Sequence, residues 1–217
     1  MVISFVKEWP RKQQLAMTRS TQYIATLTCH PDTYSQVVHG IEARVSWTDA
    51  EVLSLHYVLK GDTSHLRIPP SRPPRRADDL WQHTCFEAFV SVKGKPEYCE
   101  FNFSPSGEWA AYSFRRYRDG APLENADLAP KIAACNADNH LHLHATIHLH
   151  GLPMILHNTG LRLGLSAVIE EENGILSYWA LKHPRGKPDF HHADGFTLEV
   201  EPPEMGNVDA VRIAEKR

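Results

Sequence analysis

The chain has 217 residues, and its 23 Lys and Arg are balanced by 26 Asp and Glu for a net charge of −3; the basic excess by which nucleic-acid binders neutralise phosphates is missing, so nucleic acid is set aside as a partner. A chain this long buries about 70% of its unfolded surface and needs neither disulfide nor structural metal to form a core, and no apolar run approaches the ~20 residues of a membrane span, so no membrane partner is expected. The four cysteines, Cys29, Cys85, Cys99 and Cys135, show no CxxC spacing, and the opening MVISFVKEWPRKQQ is too short an apolar patch for a signal peptide, so a cytoplasmic address and reduced thiols packed as small hydrophobes are expected.

Residues 1–20 are polar and basic without a sustained period and read as a flexible arm, with Met17 as an alternative start to Met1. Residues 21–202 read as a single domain and 203–217 as a tail. From the domain's first residues the dominant period is two, the signature of strands with one buried face. In GIEARVSW the apolar set is Ile41, Ala43, Val45 and Trp47; in VLSLHYVLK it is Leu53, Leu55, Tyr57 and Leu59. RIPPSRPPRRADD, residues 67–79, holds four prolines and four arginines and reads as a long loop. DDLWQHTCFEAFV follows, with Trp81 and Glu87 an even number apart, which predicts one side of a regular strand. CEFNFSPSGEWAAYSF reads as a hairpin: Cys99, Phe101 and Phe103 point one way, Tyr98, Glu100 and Asn102 the other, and Ser104-Pro105-Ser106-Gly107 turns the chain.

HLHLHATIHLHG, residues 140–151, places five histidines on one side of an apolar row of Leu141, Leu143, Ala145, Ile147 and Leu149. At ~3.3 Å per residue the first and last imidazoles lie about 33 Å apart, too far to share one ion. The segment therefore reads as an amphipathic strand from His140 to His150 with a solvated histidine face. A neighbouring pair such as His142 and His144 offers two ligands at most, and no metal site is assigned. LRLGLSAVIEEENGILSYWALK is a second hairpin, turning at Asn173-Gly174, and KHPRGKPDFHHADG, residues 182–195, is a second long loop.

No helical period persists beyond a turn or two. About ten strands in one layer would leave a face bare, so the expected fold is all-β, a two-sheet antiparallel β-sandwich of jelly-roll or immunoglobulin-like type, in a single domain. Long loops in a compact domain commonly serve binding, so 67–79 and 182–195 are expected to rim a cleft. Arg67, Arg72, Arg75 and Arg76 of the first loop would favour an acidic ligand.

The segments DDLWQHTCFE, YCEFNFSPSGEW and KPDFHHADGF together resemble DOMON-like domains related to the family 9 carbohydrate-binding modules, whose strands carry a Trp followed six residues later by Glu, then a Tyr-x-Glu strand running into a Pro-Ser-Gly turn. The resemblance spans about Tyr23 to Glu201. It implies a β-sandwich that binds a ligand, commonly a sugar, in a cleft flanked by tryptophans, without catalysis and without a cofactor. It implies ligand contacts by Trp81 and Glu87, and Trp179 fits by position as the second aromatic clamp. Glu100 and Asn102 add a comparable polar pair, since a sugar needs an aromatic platform beside groups that take hydroxyl hydrogen bonds. No protein partner is assigned.

Two other classes remain. Relatives in the wider superfamily bind haem through Met and His, for which Met154 is the available methionine, although beside Ile155 and Leu156 it also fits a core. A hydrolase would draw on His83, Cys85, His191, His192 and Asp194, but no nucleophile elbow or HExxH accompanies them. The residue types also permit a purely structural reading, with the tryptophans in the core and Glu87 or Glu100 paired with Arg115, Arg116 or Arg118.

Overall fold

A computed structural model describes residues 21–49, 51–152 and 159–203; the expected arm, the tail beyond residue 203 and Met154 lie outside the described residues. Among the described residues thirteen strands follow in chain order: β1 Gln22–Cys29, β2 Val38–Asp49, β3 Val52–Gly61, β4 Arg75–Arg76, β5 Cys85–Val92, β6 Tyr98–Phe103, β7 Glu108–Arg116, β8 Asp119–Pro122, β9 Lys131–Ala137, β10 His140–His148, β11 Leu161–Glu170, β12 Leu176–Ala180 and β13 Leu198–Val200. No α-helix occurs among the described residues.

One sheet runs β1-β2-β3-β10-β9 and the other β4-β7-β6-β5-β11-β12, with β8 on β7 and β13 on β11. Every pairing is antiparallel except the two-residue contact of β4 with β7. The expected sandwich is present, but its sheets are continuous: β1 pairs with β2 from Gln22 to Leu27, then bends so that Thr28 and Cys29 pair with Ala180 and Trp179 of β12. A strand that switches sheets in this way makes the corner of a curled ladder.

Between the sheets lies one apolar cluster. Ile41, Ala43, Val45, Trp47, Leu53 and Leu55 enter it from β2 and β3, as their alternation predicts. Leu141, Leu143, Ala145 and Ile147 enter from β10, and Phe86, Phe101 and Phe103 face them from the other sheet. A polar contact also ties the two layers, the Tyr57 hydroxyl donating to the Glu87 carbonyl at 2.8 Å, which satisfies a fully enclosed phenol.

The histidine strand ends at His148, two residues short of the expected span. Its imidazoles stand on the outer face, where His56 of β3 is the direct cross-strand partner of His144. The His56 and His144 rings stack at 3.7 Å, and His142 also contacts His56, with 3.2 Å between His142 Nδ1 and His56 Nε2. Among the described residues no three His, Cys, Asp or Glu side chains form a group able to hold a metal ion. Partial burial, then the neighbouring His144 and His142, push His56 down to about 4. Neutral rings stack flat where charged ones would repel.

The second sheet behaves differently. β5 and β6 are buried along their whole length, because residues 182–196 lie across their outer face. Phe196 anchors that cover by stacking on Phe89 with ring centroids 5.6 Å apart. Gly164 makes room for it, since a Cβ there would sit 2.5 Å from Phe196 Cδ1. Two sequence expectations fail on the surface. Cys135 is exposed rather than packed, on the edge strand β9, and Trp81 lies in a 3-10 turn, Leu80–Gln82, that precedes β5 rather than on the strand itself.

Candidate functional site

Alternation along β5 and β6 sends Phe86, Ala88, Cys99 and Phe101 inward and turns Glu87, Phe89, Tyr98, Glu100 and Asn102 outward, toward the cover. In the ladder Glu87 pairs with Asn102, and Phe89 with Glu100. Glu87 and Glu100 are thus diagonal neighbours on one face, a spacing of about 7–8 Å between such positions. The next strand over brings Tyr112 opposite Glu100 and Phe114 opposite Tyr98. Above these residues is a cavity of about 620 Å³, with Glu87, Phe89 and Glu100 in its floor. Its walls include Trp81, Tyr112 and Phe114 on one side and Tyr178, Pro188 and Phe190 on the other.

Each wall is fixed by local structure. Asp79, at φ 59°, bends the chain into the 3-10 turn that leaves the Trp81 indole 48% exposed at the mouth. The Tyr112 hydroxyl donates to Asp78 Oδ1 at 2.9 Å, and Arg76 grips the same carboxylate with two nitrogens. On the opposite side Asp189 accepts from the Tyr117 hydroxyl at 2.7 Å and from Arg118 at 2.9 Å. Burial alone would raise Asp189, but these hydrogen bonds and the guanidinium bring it below its ordinary value. Arg118 reaches the cavity as a guanidinium already paired with Asp189.

His191 hangs over the floor among Phe89, Tyr98 and Phe114. Burial first, and Arg118 second, lower it to about 4, so it is a neutral imidazole. The Tyr98 hydroxyl accepts from the Arg118 backbone N–H at 3.1 Å and lies 2.9 Å from His191 Nδ1. Burial raises Tyr98 to about 12, so the phenol keeps its proton and shares a hydrogen bond with Nδ1. The other ring nitrogen, Nε2, faces Glu100, whose Oε2 is 3.7 Å away.

The two carboxyl groups of the floor are almost enclosed, Glu87 at 3% and Glu100 at 6% exposure. Ser166 Oγ donates to Glu87 Oε2 at 3.1 Å and Asn102 Nδ2 to Glu100 Oε1 at 2.8 Å. Burial pushes Glu100 up to about 7, against the opposing pull of the Asn102 hydrogen bond and Arg118. Burial, then the adjacent Glu100, push Glu87 well above the usual carboxylate range. Two like groups sharing an enclosed floor hold at least one proton near neutral pH. The floor therefore offers both a hydrogen-bond donor and an acceptor.

Of the residues expected in the site, Trp81, Glu87 and Glu100 meet at this cavity. Asn102 is fully buried and outside the lining; it braces Glu100 from behind, and its Oδ1 has no hydrogen-bond partner. Trp179 is not brought to the site. Its indole lies in the inter-sheet core at 6% exposure, with Nε1 donating to Ser177 Oγ at 3.0 Å, because β12 turns its other face, with Tyr178, toward the cavity. Loop 182–195 forms a rim as expected. Loop 67–79 contributes Asp79 to the lining, while Arg67 pairs with Glu170, Arg75 with Glu108 and Arg76 with Asp78. The arginine that reaches the cavity is Arg118. The alternation in EWAAYSF, counted onward from Glu100, would have revealed Tyr112 and Phe114; nothing local marks Phe190 or Arg118.

The structural alternative for the acids is not what is found, since Arg115 and Arg116 pair with Asp119 and Arg118 with Asp189. The residues of the hydrolase reading are dispersed. His83 caps the 3-10 turn and contacts Glu170 at 2.7 Å, Cys85 is fully buried with its thiol pushed well above its ordinary value by burial, and His192 contacts Asp194 away from the floor. A buried thiol held protonated is no nucleophile.

The chain matches no family model and no curated protein. Solved structures do share its fold. The structure described as "a putative carbohydrate-binding protein" from Bacteroides uniformis superposes with a TM-score of 0.62 at 15% identity, over 82% of this chain and 85% of that one. A family 9 carbohydrate-binding module from Caldicellulosiruptor kristjanssonii, in complex with cellotriose, superposes with a TM-score of 0.50 at 10% identity, over 82% of this chain and 81% of that one.

Proposed function

We propose that the protein is a non-catalytic carbohydrate-binding domain of the DOMON-like, family 9 module type, whose sugar occupies the cavity above Glu87 and Glu100. The observation that carries this reading is the cavity itself: an aromatic-walled space of about 620 Å³ whose floor is a pair of enclosed carboxyl groups. A pyranose has two apolar faces and a hydroxyl rim, and such a ring stacks on indole or phenol while its rim reaches carboxyl groups. Support from the fold comes by analogy, since folds of this kind host more than one function.

In this arrangement Trp81 is the platform at the mouth, Tyr178 and Phe190 close the opposite side, and Glu87 and Glu100 take the hydroxyls. The test is a tryptophan-fluorescence and calorimetric screen of mono- and oligosaccharides against the wild-type chain and Trp81→Ala. Loss of the half-exposed indole should weaken binding by ~1 kcal/mol or more while changing unfolding free energy by less than about 0.5 kcal/mol. A chain that binds no sugar in the screen, or a Trp81→Ala variant that binds as tightly as wild type, would overturn the assignment.

A further inference from the structure

We infer that the ligand of this cavity carries a protonated amine held by Glu87 and Glu100, so that an amino sugar, rather than a neutral one, is the class the site selects. The inference rests on the sugar reading above and narrows it. Its basis is the distribution of charge around the floor. Every cation near the two acids is either committed or remote: Arg118 is paired with Asp189 at 2.9 Å, and Lys187 belongs to the exposed rim. His191 approaches Glu100 only to 3.7 Å, as a neutral ring. The other titratable groups that act on the pair are Tyr98, Tyr112, Tyr57 and Cys85, all kept protonated by burial. Asp79 at the mouth adds negative charge.

Two carboxyl groups are thus enclosed on one face with a Ser and an Asn for partners and, among the described residues, no charged counter-ion in contact. A neutral hydroxyl arriving there finds the pair still needing its shared proton. An ammonium replaces that proton: it supplies three N–H donors in one compact charge, and the acids become charge-assisted acceptors. The lining suits the same group, because Tyr112, Phe114 and Phe89 border the cavity and an ammonium near aromatic rings is attracted by their π-systems. The proton balance is explicit. The free site holds a proton on the Glu87–Glu100 pair; an amine that arrives protonated displaces that proton to the buffer, and an amine that arrives neutral takes it up directly.

The experiment is calorimetric titration of the full chain at pH 7.5 with glucosamine, N-acetylglucosamine and glucose, three probes that share a ring and differ in whether position 2 is cationic. Each titration is run in phosphate and in Tris, whose ionisation heats differ. The expected result is glucosamine binding at least tenfold tighter than the other two, with a buffer-dependent heat that reports release of up to one proton. In Glu87→Gln and in Glu100→Gln the preference for glucosamine over glucose should fall below threefold. Because the buffer comparison is made on the wild-type chain, the test survives if one variant fails to fold. Glucosamine binding no tighter than glucose, or a preference that persists in both variants, overturns the amine inference and leaves the sugar reading intact. Binding by none of the three probes overturns both.

Discussion

The outer face of the histidine sheet and the outer face of the glutamate sheet are built from the same kind of sequence and end in different chemistry. HLHLHATIH and YCEFNF both alternate, and in both the inward set is apolar and enclosed. On the first sheet the outward histidines remain half-exposed. On the second the outward Glu100 and Asn102 are as buried as the core beneath them. The difference is the segment 182–196, which crosses one face and not the other. It is pinned by Phe196 against Phe89 and by His191 among Phe89, Tyr98 and Phe114. Excluding water from a polar sheet face is what turns ordinary carboxylates into a pair that retains a proton near neutrality.

The comparison breaks most easily at Phe89. Its ring supports the cover from below, and Phe89→Ala should cost about 3–5 kcal/mol of unfolding free energy, whereas His144→Ala on the open face should cost less than about 1 kcal/mol. Denaturant titration of the two variants decides this, and equal losses would mean that the faces are not distinguished by their cover.

Next in size is Gly164→Ala. The added methyl collides with the Phe196 ring, and overpacking of this kind costs about 1–3 kcal/mol. The cover should loosen before the sandwich does, so limited proteolysis should cut the variant within 182–195 faster than wild type, and ligand-induced fluorescence change should diminish. A variant as resistant as wild type would show that Phe196 does not hold the loop.

The acids give a smaller effect with a definite sign. Glu100 is raised to about 7, so the folded state holds its proton more tightly than the unfolded chain does. Its favourable contribution is complete below the unfolded carboxylate value and is lost as pH rises through about 7. Glu100→Gln, which cannot ionise, should therefore gain stability over wild type between pH 5 and 8, by on the order of 1 kcal/mol at the upper end. A gain that is constant with pH would contradict the shift.

The smallest effect at neutral pH is expected on the open face. His56 is lowered to about 4, so its contribution is present above the unfolded histidine value, near 6.5, and is lost as pH falls through about 4. His56→Gln should melt within a degree or so of wild type at pH 7.5 yet lose less on acidification to pH 4. A melting curve that falls as steeply in the variant would assign the acid sensitivity to the covered face, where His191 is lowered to the same degree.

What was legible in the sequence was local. Period-two alternation named the inward residues of β2, β3, β6 and β10, since the pleat sends successive side chains to opposite sides whatever lies beyond the strand. The turns at Ser104–Gly107 and Asn173-Gly174 followed from turn chemistry, with Gly107 and Gly174 at positive φ. Trp81 and Glu87 were picked out as a pair and do meet at the cavity, but through a 3-10 turn that lifts the indole over the strand rather than through strand parity. Only the tertiary structure decided that Tyr178 and not Trp179 faces the cavity, because which side of β12 points outward depends on the sheet it joins. It also decided that Arg118 and not the proline-loop arginines reaches the site, and that Glu87 and Glu100 are enclosed. The enclosure of those carboxyls comes from Phe190, His191 and Phe196, at least ninety residues further along the chain. Desolvation is a property of everything that surrounds a group in space, whereas alternation requires nothing beyond its nearest neighbours in sequence.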